Sequence, residues 1–132
     1  MKKKQHTKTL GQVFLTDKNI VRKIITFAKP TTKRIIEIGC GTGILSKELS
    51  EISTEVHIIE IDPRWLDTVK SLELKNTTFH LCDVLSFDFS QFKSKSNIIA
   101  NIPYHITTPI IDRITQFKPH VEAIIIFKIK NN

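Results

Sequence analysis

The run Arg34-Ile35-Ile36-Glu37-Ile38-Gly39-Cys40-Gly41-Thr42-Gly43 decides how the rest of the chain is read. Its first half, Arg34 to Ile38, is a short aliphatic strand, and its second half is a glycine turn that stops the strand. Helical spacing then carries on from Ile44 to Ile52. Strand, glycine turn and helix in that order predict an α/β unit. Its turn can pass close to a ligand, and its helix start offers free N–H groups. The glycines are spaced G-x-G-x-G, unlike the G-x-G-x-x-G of dinucleotide sites. A compact nucleoside with a small zwitterionic tail fits that spacing at least as well as a pyrophosphate does.

The pattern extends in both directions. Before the run, Ile20, Val21, Ile24, Ile25, Phe27 and Ala28 recur at helical spacing from Asp17 to Lys29, behind a Thr16 or Asp17 cap. Pro30 ends that helix. After the run, further strands are predicted at Glu55 to Ile61, Thr77 to Leu81, Asn97 to Ala100 and Val121 to Ile129. Asp62-Pro63 opens one intervening helix, with Pro at the first helical position. Thr107-Thr108-Pro109 starts another, with Ile110, Ile111, Ile114 and Phe117 on one side. Alternating strands and helices predict an α/β fold with a mostly parallel sheet. The last strand would leave an edge as apolar as Ala123-Ile124-Ile125-Ile126-Phe127. Such an edge is normally paired or covered, so it predicts either a pairing chain or a sheet cut short.

Composition narrows the class. The chain has 132 residues, 40% hydrophobic and 25% charged, which suits one globular domain. Its aliphatic runs are far too short for a membrane span, and no apolar stretch follows the basic Met1-Lys2-Lys3-Lys4 start, so membrane insertion and secretion are not expected. Two cysteines make neither a disulfide framework nor a metal cluster, and the expected compartment is the reducing cytoplasm. His6, His57, His80, His105 and His120 show no ligand spacing, so no metal is expected. The net charge is +7, and it is concentrated: residues 1–34 hold ten basic and one acidic side chain, a surplus of nine, whereas the other 98 hold ten and twelve. Residues 1–16 read as a basic arm ahead of one domain, 17–132. Such an arm suits a polyanion, RNA or DNA, as well as it suits a solubilising tail.

Three further signals follow successive strands. Glu60, 21 residues after Gly39, is placed to accept both hydroxyls of a ribose, although a solvated strand-end acid is an equal reading for it. Asp83 is placed to accept an exocyclic purine amine, although a turn cap is an equal reading for it. Asn101-Ile102-Pro103-Tyr104 joins an amide acceptor, a rigid turn and an aromatic face, which suits an everted adenine.

In this combination and order, the chain resembles the S-adenosylmethionine-dependent rRNA adenine N6-methyltransferases, from about Thr9 to about Phe127. That family contains small-subunit rRNA adenine dimethyltransferases and macrolide-resistance large-subunit rRNA methyltransferases. Gly11-Gln12-Val13-Phe14-Leu15 resembles the opening motif, Glu37 to Gly43 motif I and Glu60-Ile61-Asp62 motif II. Asp83 resembles motif III, and Asn101-Ile102-Pro103-Tyr104 motif IV. Thr108-Pro109-Ile110-Ile111 leans towards the small-subunit branch. The resemblance implies a Rossmann-like methyltransferase fold and S-adenosylmethionine as cofactor. It implies that Gln12 and Val13 lie by the methionine end and that Gly39 and Gly41 allow close approach. Glu60 would take the ribose, Ile61 and Asp83 the cofactor's adenine, and Asn101, Pro103 and Tyr104 the target base. Lys2, Lys3, Lys4, Lys8 and Arg22 would meet rRNA phosphates.

Two positions depart from the family pattern. Val13 stands where Asn or His is usual, which leaves only a backbone contact there. Family members also carry two more strands and a helical RNA-binding domain, so the chain is expected to be a C-terminally truncated member. Competing expectations are a non-catalytic remnant that binds cofactor or RNA, and a nicotinamide-dependent oxidoreductase. The glycine spacing and residues 101–104 argue against the oxidoreductase.

Overall fold

A computed structural model describes residues 17–30, 33–102 and 104–127, with Tyr104 described by its backbone alone. Among these residues five strands form one parallel sheet: β1 (Arg34–Ile38), β2 (Glu55–Glu60), β3 (Thr77–Leu81), β4 (Ser96–Asn101) and β5 (Val121–Phe127). Their order is β3-β2-β1-β4-β5, and every neighbouring pair is parallel. The helices are α1 (Lys18–Ala28), α2 (Ile44–Ile52), α3 (Arg64–Lys70) and α4 (Thr107–Thr115).

Strands covered on both faces read as unbroken aliphatic runs rather than alternating ones. Ile35 and Ile36, Ile58 and Ile59, and Ile98 and Ile99 are all buried, one of each pair on each face. One face packs against Val21 of α1, Leu45 and Leu49 of α2, and Trp65 and Val69 of α3. The other packs against Phe87 and Phe89, from a connection with short 3₁₀ turns at 84–86 and 89–91, and against Ile110 and Ile114 of α4.

The predicted elements are all present, with shifted ends. Asp17 caps α1, its side chain accepting the Asn19 N–H at 2.8 Å. β2 closes at Glu60 rather than Ile61, because the Glu60 carboxylate accepts the Asp62 N–H at 3.0 Å and turns the chain. Pro63 is the N-cap of α3 rather than its first residue. β4 extends to Ser96 and Asn101, where β5 pairs with both. β5 is described to Phe127; Lys128 and Ile129 lie outside the described residues. Beside the outer edge of β5, Ile20, Ile24 and Phe27 of α1 form an apolar groove with Ile125 and Phe127. No described strand pairs with that edge.

The β2–β3 register joins two histidines that are 23 residues apart. His57 Nδ1 lies 2.8 Å from His80 Nε2, while His57 Nε2 bonds the Glu55 carboxylate. One proton bridges the two rings, so a second must break the contact. Burial first, and then the nearby His57, lower the His80 pKa. Below about pH 6.5 the unfolded chain therefore takes up more protons than the folded one, and stability falls as the pH drops. Glu37 acts in the opposite sense over this range, so the readout is a difference: the stability of the parent chain relative to His80→Phe should fall between pH 7 and 5. An unchanged slope in that variant would place the titration elsewhere.

Candidate active site

The chain order reverses at β1. Successive strands step from β1 to β2 to β3, and then β4 returns to the far side of β1. The crevice between the carboxyl ends of β1 and β4 is the place where open parallel sheets bind ligands. Gly39 leaves β1 there and Asn101 ends β4 there.

Gly39 has φ +80°, and its N–H donates to the Ile59 carbonyl at 3.0 Å. A Cβ built on it would sit 2.6 Å from the Asn101 backbone oxygen. Real Cβ atoms do not approach that closely, so only glycine lets the turn lie directly against the 101 corner. The glycine turn after β1 and the end of β4 at Asn101 thus form one structural unit.

Glu60 pins the turn from the other side. It is 6% exposed, and its Oε1 accepts the Cys40 N–H at 3.0 Å while Oε2 accepts the Asp62 N–H. The Cys40 thiol lies 3.7 Å from Oε1. Burial, with Glu37 and Glu60 adding negative charge, pushes that thiol's pKa far up, so Cys40 is no nucleophile. Ile61, the next residue, is 62% exposed and presents an apolar side chain at the end of β2. The Cys82 N–H donates to the Glu60 carbonyl at 3.1 Å, which puts Asp83 on the same rim. Asp83 is exposed and caps the 84–86 turn, its Oδ1 accepting the Leu85 N–H at 2.9 Å. The cap reading of Asp83 is therefore correct, and Oδ2 lies outside that bond.

Gly39, Gly41, Glu60, Ile61, Asp83 and Asn101 thus converge on the carboxyl ends of four adjacent strands. Ile102 is buried. Arg22 is exposed on α1 and takes no part in the bonds that knit this rim. Gln12, Val13, Lys2, Lys3, Lys4, Lys8 and Pro103 lie outside the described residues, as does the Tyr104 side chain.

Sequence reading missed Glu37 as a site residue. It is 1% exposed beneath the turn, and it bonds the Ser46 hydroxyl in the first turn of α2. Burial, partly offset by that hydroxyl and reinforced by Glu60, pushes its pKa up to about 8. The available signal was an acid inside the run Ile35-Ile36-Glu37-Ile38, where a strand buried on both faces has no solvent to offer it.

Among the described residues no three metal-ligating side chains cluster, and no helix is long and apolar enough to cross a membrane. The arrangement offers a carboxylate for a pair of hydroxyls, an apolar shelf, a second carboxylate and an amide corner around one crevice. Residues 3–130 match the family model described as ribosomal RNA adenine dimethylase. A ribosomal RNA small subunit methyltransferase A from Nitrosomonas europaea is 37% identical over 116 residues, 86% of this chain and 45% of the relative. A crystal structure of a dimethyladenosine transferase from Plasmodium falciparum superposes with a TM-score of 0.76 at 30% identity, covering 89% of this chain and 44% of that one. The crystal structure of the 23S rRNA methyltransferase ErmE gives 0.74 at 27%, covering 86% and 48%. The chain thus spans less than half the length of these relatives, and across nearly all of its own length it belongs to the ribosomal RNA adenine dimethylase family.

Proposed function

We propose that this chain binds S-adenosylmethionine in the β1–β4 crevice and directs its methyl group to N6 of an rRNA adenosine, most closely in the manner of the small-subunit enzymes. The observation that carries this reading is the contact of Gly39 with the Asn101 backbone, which sets the glycine turn against the end of β4. The small-subunit branch is favoured by the curated relatives, which are named as small-subunit methyltransferases.

The residues present fit the cofactor. Glu60 Oε2 accepts the Asp62 N–H and has acceptor capacity left, and Oε1 accepts the Cys40 N–H and the weak thiol donor of Cys40. Glu60 would hold the ribose, Ile61 would pack on the adenine, and Asp83 Oδ2 would accept its amine. Gln12 and the Val13 backbone would lie at the methionine end. The cofactor, when bound, supplies a methyl group already activated on a sulfonium, so the protein's task is alignment rather than strong base catalysis.

The adenine amine is a poor nucleophile because its lone pair is delocalised into the ring. The Asn101 side-chain carbonyl and a backbone carbonyl of Ile102 or Pro103 would accept its two N–H bonds and favour a pyramidal nitrogen. Tyr104 would stack on the everted base. Unpaired RNA offers that base at lower cost than a duplex. The basic arm, with Lys2, Lys3, Lys4 and Lys8, and Arg22 would neutralise phosphates, and this binding weakens as salt is added.

The test is a calorimetric titration with S-adenosylmethionine, followed by methyl transfer to rRNA. Asn101→Ala and Tyr104→Ala should each lose transfer by about 100-fold while keeping cofactor affinity. Undiminished transfer in either variant would remove that residue from the site. Cofactor binding without transfer by the parent chain would restrict its function to binding.

A further inference from the structure

We infer that Glu37 is a buried proton store coupled to the pocket: a ligand that brings net positive charge to the glycine turn makes Glu37 release its proton, and a neutral ligand of the same shape does not. The inference rests on the proposed cofactor reading and deepens it.

Glu37 is the fourth of the five residues of β1, two before Gly39. In register it stands between Ile58 of β2 and Ile99 of β4, both fully buried. Val21 of α1, Leu49 of α2 and Trp65 of α3 pack on the same side of the sheet and carry no charge. Its hydrogen-bond partner is the Ser46 hydroxyl, itself fully buried, and no basic side chain pairs with it among the described residues. The titratable groups that act on it or feel its charge are Glu60, across the turn, and the Cys40 thiol.

A carboxylate in such a place has lost its water and gained no cation. Keeping the proton is the cheaper state. With its pKa pushed up to about 8 by burial, offset by Ser46 and reinforced by Glu60, the free chain carries that proton at neutral pH. The mechanism above makes no use of it. The ligand proposed for the crevice beside the glycine turn has two cationic centres, a sulfonium and an ammonium, against one carboxylate. Its net charge of about +1 opposes the cost of ionising Glu37 through a dry, low-dielectric layer. The step is a simple ionisation: the carboxylic acid becomes a carboxylate, and the proton passes to buffer. S-adenosylhomocysteine, whose sulfur is a neutral thioether, lacks that net charge.

The experiment titrates the chain at pH 7 with each nucleoside, in two buffers of different ionisation enthalpy, so that the difference in heat counts protons. S-adenosylmethionine should release about 0.5–1 proton and S-adenosylhomocysteine close to none. Glu37→Gln should bind both and release none, because its amide keeps the Ser46 contact but cannot ionise. Ser46→Ala removes a bond that favours the charged form, so it should move the half-point of release to higher pH. Heat from both nucleosides with equal proton counts would overturn the coupling and leave the pocket intact. Release from Glu37→Gln equal to that of the parent chain would also overturn it. No heat from either nucleoside would overturn the pocket itself, and the coupling with it.

Discussion

Gly39→Ala is expected to cut methyl transfer by about 1,000-fold and to lower stability by about 2–4 kcal/mol. Two separate penalties meet at this position. The backbone has φ +80°, where a Cβ is strained in any surroundings. The added carbon would also stand 2.6 Å from the Asn101 oxygen. That oxygen belongs to the backbone of a strand paired on both sides, by β1 and by β5, so no side-chain rotation relieves the contact. Relief requires β1 and β4 to part or the 101 corner to swing outward. A displacement of about 1 Å costs roughly 100-fold in an aligned reaction, and a disturbed cofactor turn adds to it. Gly43→Ala is the control. Its φ is +87°, but the new Cβ would meet Leu72 Cδ1 at 2.8 Å, the far end of a flexible side chain. That variant should lose stability through strain while Asn101 stays in place. Thermal unfolding together with a transfer assay separates the two, and parent-level transfer by Gly39→Ala would sever the glycine turn from the proposed role of the Asn101 corner.

The central elements were legible in the sequence because strands covered on both faces write themselves as isoleucine runs: β1, β2 and β4 each carry such a run, ended by Gly39, Asp62 and Asn101. The rim residues were legible because each stands at a strand's carboxyl end: Glu60 closes β2, Asp83 follows β3 and Asn101 closes β4. What escaped depends on contacts between segments distant in the chain. The Glu37–Ser46 bond needs the glycine turn to fold α2 back over β1. The His57–His80 contact needs the parallel register that sets His80 opposite Ile59, a diagonal neighbour of His57. The 3₁₀ turns at 84–86 and 89–91 are too short for any periodicity. Their only trace is an aspartate before each, Asp83 and Asp88, whose side chains accept the N–H two residues on. Strand ends slipped by one residue where a side chain settled them, as Glu60 does by bonding the Asp62 N–H. The family resemblance reached the same rim, but it did not show that Gly39 is demanded by Asn101 rather than by a ligand alone.

Glu60→Gln should weaken S-adenosylmethionine binding by about 1,000-fold, because two hydrogen bonds to a charged acceptor are each worth about 1.5–3 kcal/mol. The substitution also injures the free chain. Glu60 accepts N–H groups from Cys40 and Asp62 on its two oxygens. An amide can meet only one of them with its oxygen and turns a donor towards the other, and at 6% exposure no solvent repairs the mismatch. Stability should fall by about 1–3 kcal/mol. A second readout separates this loss from simple damage to the turn. Glu37 keeps its proton to about pH 8 through burial, offset by Ser46, with Glu60's charge adding to the upward push. Because the folded pKa lies above the unfolded value of 4.5, the stability that this proton confers is complete below pH 4.5 and is lost as the pH rises towards 8. The full span corresponds to an upper bound of roughly 5 kcal/mol. Removing the Glu60 charge lowers the Glu37 pKa, so the decline in unfolding free energy between pH 5 and 8 should be shallower in Glu60→Gln than in the parent chain. Glu37→Gln should remove that decline and leave the opposite trend due to His80. A Glu60→Gln chain that lost cofactor affinity but kept the parent slope would show that the two acids do not sense each other across the glycine turn.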